Sequence, residues 1–139
     1  MIVLDSNVVS ELMRPAISPA VVAWMSGQAA VELFTTTITV AEILYGVEIA
    51  PKGKRREQLL KQAEATFAQD FAGHILSFDE SAARMYALIA AVRRSRGRPI
   101  SVPDAQIAAI ARAQGATLAT RNGADFENCG IALVNPWHT

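Results

Sequence analysis

The chain has 139 residues, 51% of them apolar and 19% charged, with 8 glycines and 6 prolines. That size and composition suit one domain able to bury a core without disulfides or a structural metal, and exclude a disordered or collagen-like chain. With 13 Lys+Arg against 13 Asp+Glu, the formal net charge of +0 argues against indiscriminate polyanion coating and leaves open how the charges are arranged.

Residues 2–4, IVL, form a short aliphatic run ending at Asp5. Ser18 followed by Pro19 reads as an N-cap with proline at the first helical position, opening a short helix that carries Val22 and Trp24. Residues 31–38, VELFTTTI, predict a second strand, because Val, Phe, Thr and Ile favour extended structure. Thr39 then opens an apolar helix, TVAEILYGVEIA, closed by Pro51. After a basic turn, a long helix is expected over residues 54–70, with Leu59, Ala63, Phe67 and Phe71 forming an apolar stripe. That stripe reads first as core or interface packing. Residues 74–78 predict a short strand, 80–96 a helix stopped at Gly97, and 103–114 a helix ended by Gly115. TLAT at 117–120 and IALV at 131–134 supply the last strands. The alternation predicts an α/β sandwich with a small, parallel sheet, in a single domain over 1–139.

The lone Cys129 excludes an intrachain disulfide and a cysteine-based zinc cluster, and His74 and His138 form no metal-spacing motif. The start lacks the basic region of a signal peptide, and no apolar run approaches the roughly 20 residues of a membrane span. A soluble, cytoplasmic protein with no membrane partner is expected.

In open α/β sheets, ligands gather beyond the carboxyl ends of the strands. Four acids are expected there. Asp5 ends the first strand, Glu42 falls in the first turn of the helix after the second, Asp104 opens the late helix, and Asp125 follows TLAT across TRNGAD. Converging carboxylates raise one another's pKa unless a cation neutralises them, and hard oxygen donors suit Mg²⁺ or Mn²⁺. Such a cation can polarise a phosphodiester for in-line attack by water. A plainer reading stands beside this one. Thr39-Val-Ala-Glu42 fits a capping box, Ser101-Val-Pro-Asp104 is a near-variant, and Asn122-Gly-Ala-Asp125 is a further candidate. Those three acids can therefore be caps, with or without a ligand. Asp5 has no helix to cap unless the DSN turn starts one.

The same positions carry a family resemblance. Over residues 1–137 the chain resembles PIN-domain ribonucleases, in particular VapC-type toxins of VapBC toxin–antitoxin pairs and their FitB-like subgroup. The matching segments are IVLDSNVVSEL, TITVAEILYGV, LSFDESAARMYALI and GRPISVPDAQIAAIARAQGATLATRNGADFENCGIALVNPW. The resemblance implies a PIN-like three-layer sandwich with a mostly parallel central sheet. It assigns Asp5, Glu42, Asp104 and Asp125 as catalytic, metal-ligating residues for Mg²⁺ or Mn²⁺. It gives Ser6 and Asn7 a role in shaping the first loop, and Thr120 and Asn122 one in orienting the last acid or the attacking water. Arg121 resembles a basic residue near the RNA backbone, with a solvated surface arginine as the plainer reading. Ser6 stands where threonine is commoner, and Pro103 where a small residue is usual; neither change removes a principal acid.

Two basic clusters, Lys52, Lys54, Arg55 and Arg56, and Arg93, Arg94, Arg96 and Arg98, are candidates for RNA phosphates, for a solvated face, or for an acidic antitoxin segment. The implied function is a metal-dependent endoribonuclease toxin that inhibits translation, is neutralised by a cognate antitoxin, and forms a homodimer. Two alternatives remain at this point. A non-catalytic regulatory module would bind protein or nucleic acid through the same surface. A haloacid-dehalogenase-like phosphotransferase is disfavoured by Asn7, where a second aspartate belongs, and by the absence of any lysine after Lys61.

Overall fold

The computed structural model describes residues 1–138. Its aliphatic runs become β1 (Ile2–Leu4), β2 (Leu33–Thr36), β3 (Ile75–Leu76), β4 (Thr117–Ala119) and β5 (Leu133–Val134). All five lie in one parallel sheet in the order β3-β2-β1-β4-β5. Parallel neighbours need crossover connections, usually helical. Here the helices are α1 (Ser6–Leu12), α2 (Pro19–Ser26), α3 (Thr37–Ile49), α4 (Lys54–Ala65), α5 (Glu80–Ser95) and α6 (Val102–Ala113).

The central strand shows why the fold has three layers. Successive side chains of a strand point to opposite faces. Val3 joins Ile89 of α5 and Ile107 and Ile110 of α6 on one face. Ile2 and Leu4 join Val8 and Val9 of α1, Trp24 of α2 and Ala63 of α4 on the other. β4 repeats the division, with Leu118 on the first face and Ala119 on the second. The three-layer α/β/α sandwich expected from the sequence is therefore present.

Several boundaries differ from expectation. Residues 31–38 are not one strand: Ala30–Glu32 form a 3-10 turn and α3 already begins at Thr37. The cap of α3 is Thr36, whose hydroxyl accepts the Thr39 N–H at 3.1 Å. Thr39 is thus the third residue of the helix rather than its cap, and Glu42 lies beyond the first turn. The capping-box reading of Glu42 falls with it. The 54–70 helix is continuous but changes pitch, since α4 passes into a π-turn over Thr66–Asp70 and the Phe71 N–H reaches back to Thr66 O at 3.1 Å. Ala63, Phe67 and Phe71 of the predicted stripe are core, whereas Leu59 is half-buried. The strands expected at 74–78 and 131–134 shorten to two residues each. No described helix is long and apolar enough to cross a membrane.

Candidate active site

Asp5 leaves the carboxyl end of β1 and becomes the N-cap of α1, so the DSN turn does start a helix, the option the sequence left open. Its backbone N–H continues the ladder to Ala119 O at 2.9 Å, which fixes it between β1 and β4. One carboxylate oxygen accepts the Ser6 N–H at 2.8 Å, and the other accepts the Thr120 hydroxyl at 2.8 Å and the Asn7 amide at 3.4 Å. The side chain is only 5% exposed, and among the described residues no Lys or Arg pairs with it. Burial pushes its carboxyl up to about 6; the Thr120 and Ser6 hydrogen bonds oppose that rise, and the charges of Asp104 and Glu42 add to it.

Glu42 reaches the same edge from α3. Its carboxylate accepts the Ser6 hydroxyl at 2.7 Å, and the Ser6 oxygen lies 3.0 Å from the buried Thr39 hydroxyl. Thr36, Thr39, Ser6 and Glu42 thus form one polar relay from the start of α3 to the first loop. Asp104 enters from α6, where Ser101 caps the helix by accepting the Asp104 N–H at 3.3 Å. Burial raises the Asp104 carboxyl; the Ser101 hydrogen bond counters this, Asp125 and Glu42 raise it further, and Arg93 opposes them. Asp125 sits in a 3-10 turn, Gly123–Phe126, with its N–H on Asn122 O at 3.0 Å. The Asn122 side chain makes no cap there, so the capping reading of Asp125 is not realised.

Asp104 links the acids electrostatically: Asp5 responds to Asp104 and Glu42, and Asp104 responds to Asp125 and Glu42. Among the described residues, no three His, Cys, Asp or Glu side chains close around a point as a ready-made metal cage. An open, all-oxygen edge still fits a hard divalent cation, because Mg²⁺ commonly takes one or two carboxylates and keeps several waters. A buried carboxylate without a cationic partner is the donor such an ion would relieve.

The PIN domain family matches residues 2–131. The chain belongs to that family. A relative called toxin FitB, from Neisseria gonorrhoeae, is 39% identical over 138 residues, spanning 99% of both chains. VapC ribonuclease Y4jK from Sinorhizobium fredii is 41% identical over 137 residues, spanning 99% of this chain and 98% of that protein. Among solved structures, that of FitAcB from Neisseria gonorrhoeae superposes with a TM-score of 0.92 at 39% identity, covering 100% of each chain.

Within this PIN domain, the polar residues around the acids have specific partners. The Thr120 hydroxyl turns to Asp5, the first acid, and accepts the Asn122 N–H at 3.1 Å. Asn7 spans the two loops, donating to Thr120 Oγ1 at 3.3 Å and accepting the Arg121 N–H at 3.2 Å. The Arg121 guanidinium is exposed and lies 4.9 Å from the centre of the Trp137 ring. Beside Glu42 and Ser6 opens a cleft of about 730 Å³ between α1, α3 and α4, with Met13, Ile43 and Leu59 in its wall and Arg14 and Arg55 at its margin. Sequence reasoning missed Thr36, hidden in a run of threonines, and read Thr39 as a helix cap rather than as a partner of Ser6. It also placed Arg93 among surface cations, whereas the structure buries it. The signal was available: Ala82, Ile89 and Arg93 repeat at helical intervals along one face of α5.

Proposed function

We propose that this chain is an endoribonuclease toxin that hydrolyses RNA phosphodiester bonds with the help of Mg²⁺ or Mn²⁺ and is neutralised by a cognate antitoxin protein. The observation that carries this reading is Asp5: a buried carboxylate, raised to about 6, with no cationic partner among the described residues and with Asp104 and Glu42 close enough to raise it further. A carboxylate kept there at that cost is suited to a cation that arrives with the substrate. The full-length likeness to relatives called a toxin and a VapC ribonuclease supports the same activity over a phosphotransferase or a non-catalytic module.

Asp5, Glu42, Asp104 and Asp125 would hold the cation, which supplies Lewis-acid polarisation of the phosphodiester and of the attacking water. The protein's own groups orient those donors. The Ser6 N–H and the Thr120 hydroxyl hold the Asp5 carboxylate, the Ser6 hydroxyl holds Glu42, and the Asn122 carbonyl holds the backbone of Asp125. Asn7 ties the first and last loops so that Asp5 and the Arg121 segment keep one spacing. Arg121, exposed and resting against Trp137, would meet an RNA phosphate. The adjoining cleft, apolar within and flanked by Arg14 and Arg55, is the seat we assign to an antitoxin segment. A cytoplasmic homodimer completes the proposal.

The test is cleavage-end mapping on cellular RNA treated with purified protein and Mg²⁺ or Mn²⁺, alongside Asp5→Asn and EDTA controls. Discrete new ends that vanish in both controls are expected. Cleavage persisting in both would sink the metal-nuclease reading, and an unaltered biological effect of Asp5→Asn would favour a non-catalytic module.

A further inference from the structure

Arg93 is 5% exposed, although Arg94, Arg96 and Arg98 around it are all at the surface. Burying a guanidinium is costly unless its donors are satisfied. Among the described residues no carboxylate forms an ion pair with it. Its hydrogen bonds to oxygen go to backbone carbonyls instead. Nε donates to Arg98 O at 2.7 Å, and one terminal nitrogen donates to Asp125 O at 2.6 Å and Glu127 O at 3.2 Å while lying 3.9 Å from Cys129 Sγ.

Two of those carbonyls belong to the segment that carries Asp125. After the 3-10 turn this segment is irregular, with Asn128 at a φ of 62°, so no helix or sheet ladder fixes it. The other arginine ties fall later in the segment: Arg98 pairs with the Glu127 carboxylate at 2.9 Å, and Arg112 reaches Cys129 O at 3.5 Å. Of these arginines, only Arg93 bonds to the peptide of the acid itself among the described residues. Its own helix packs along α6, which carries Asp104. One rigid helix therefore holds the Asp125 backbone and braces the element that bears its neighbour.

We propose that Arg93 is a positioning residue: by binding the Asp125 and Glu127 carbonyls it fixes the Asp125 carboxylate at the acidic edge and so sets the affinity of that edge for a divalent cation. This rests on the metal-dependent reading above and deepens it. Loss of a group that orients a metal-binding side chain weakens binding by about 10- to 100-fold. Lysine keeps the charge at 93, but its ammonium ends one bond short of the terminal nitrogen that holds both carbonyls, and it has no Nε to hold Arg98 O.

The test measures Mn²⁺ binding to the purified full-length protein by calorimetry, without RNA, for the parent, Arg93→Lys and Arg112→Lys. The expected result is a loss of about 10-fold or more for Arg93→Lys and of less than about twofold for Arg112→Lys, whose tie misses Asp125. A double-mutant cycle with Asp125→Asn separates positioning from general destabilisation. Arg93→Lys should cost nothing further in that background, and a fully additive loss overturns the proposal. A parent that binds Mn²⁺ no more tightly than Arg93→Lys overturns the positioning role alone, whereas a parent that binds none overturns the metal reading as well. Should Arg93→Lys not fold, Mg²⁺ titration of the ¹⁵N-labelled parent decides: the Arg93 Nε–H and Asp125 N–H signals must shift along one isotherm, and an unmoved Arg93 signal overturns the assignment.

Discussion

Replacing Asp5 with asparagine is expected to stabilise the metal-free protein at neutral pH while abolishing its nuclease activity. The carboxyl is raised from its ordinary 3.8 to about 6, chiefly by burial. The folded chain therefore binds this proton more tightly than the unfolded chain does. Stability from this group is fully present below 3.8, declines as pH rises between about 4 and 6, and is lost above that window. At roughly 1.4 kcal/mol per unit, ionised Asp5 costs about 3 kcal/mol at pH 7.5 and about half that at pH 5. Asparagine removes that cost and keeps an oxygen for the Ser6 N–H, but weakens the 2.8 Å bond from Thr120, a loss of about 1.5 kcal/mol. The net gain at pH 7.5 is then about 1–2 kcal/mol, or about 5 °C in Tm for a chain of this length. At pH 5 it is close to zero. Thermal melts of both proteins in EDTA at the two pH values measure it, and Mn²⁺ added at pH 7.5 should raise the parent's Tm but not the variant's. A variant less stable than the parent at pH 7.5, or a difference independent of pH, would refute the idea that the fold holds this charge against its own stability.

Three further outcomes are expected. Thr36→Val removes the cap of α3 and should cost about 1 kcal/mol, seen as a fall of about 3 °C in Tm, with activity lost disproportionately because Glu42 rides on that helix. Thr120→Val deletes the hydroxyl that opposes the rise of Asp5, so ¹³C-detected titration of the Asp5 carboxyl should move above about 6, and the rising limb of the pH–activity profile should follow it upward. Arg121→Ala should weaken RNA binding and lower the slope of log affinity against log salt by about 1, while leaving Mn²⁺ binding unchanged, as filter binding across a salt series would show.

The layer architecture was readable because aliphatic runs, proline starts and glycine stops fall where the physics of strands and helices puts them. Pro19 opens α2, and Gly97 follows α5 with a φ of 71°. The acids were readable because strand ends in a parallel sheet share an edge. What the sequence hid were competitions between equals. Residues 35–37 and 39 are all threonine, any of which can cap a helix or extend a strand, and the choice of Thr36 depends on the register of β2 against β1. The α1 helix was obscured by its valines, which favour strands locally but here pack against Leu4 and Trp24. Arg93 stands in a basic run, and only the rotation of α5 about its axis separates it from Arg94.

The position of β1 has a consequence for how the protein is made. Its neighbours in the sheet are β2, which follows within about 30 residues, and β4, which begins at Thr117. Asp5 and Asp125 are 120 positions apart, so the acidic edge cannot assemble until nearly the whole chain has left the ribosome. At about 5–20 residues per second, that interval lasts roughly 6–24 s. On the nuclease reading proposed above, the strand order is a built-in delay: each new copy stays inert while its first strand waits for β4, which would give a neutralising protein time to arrive.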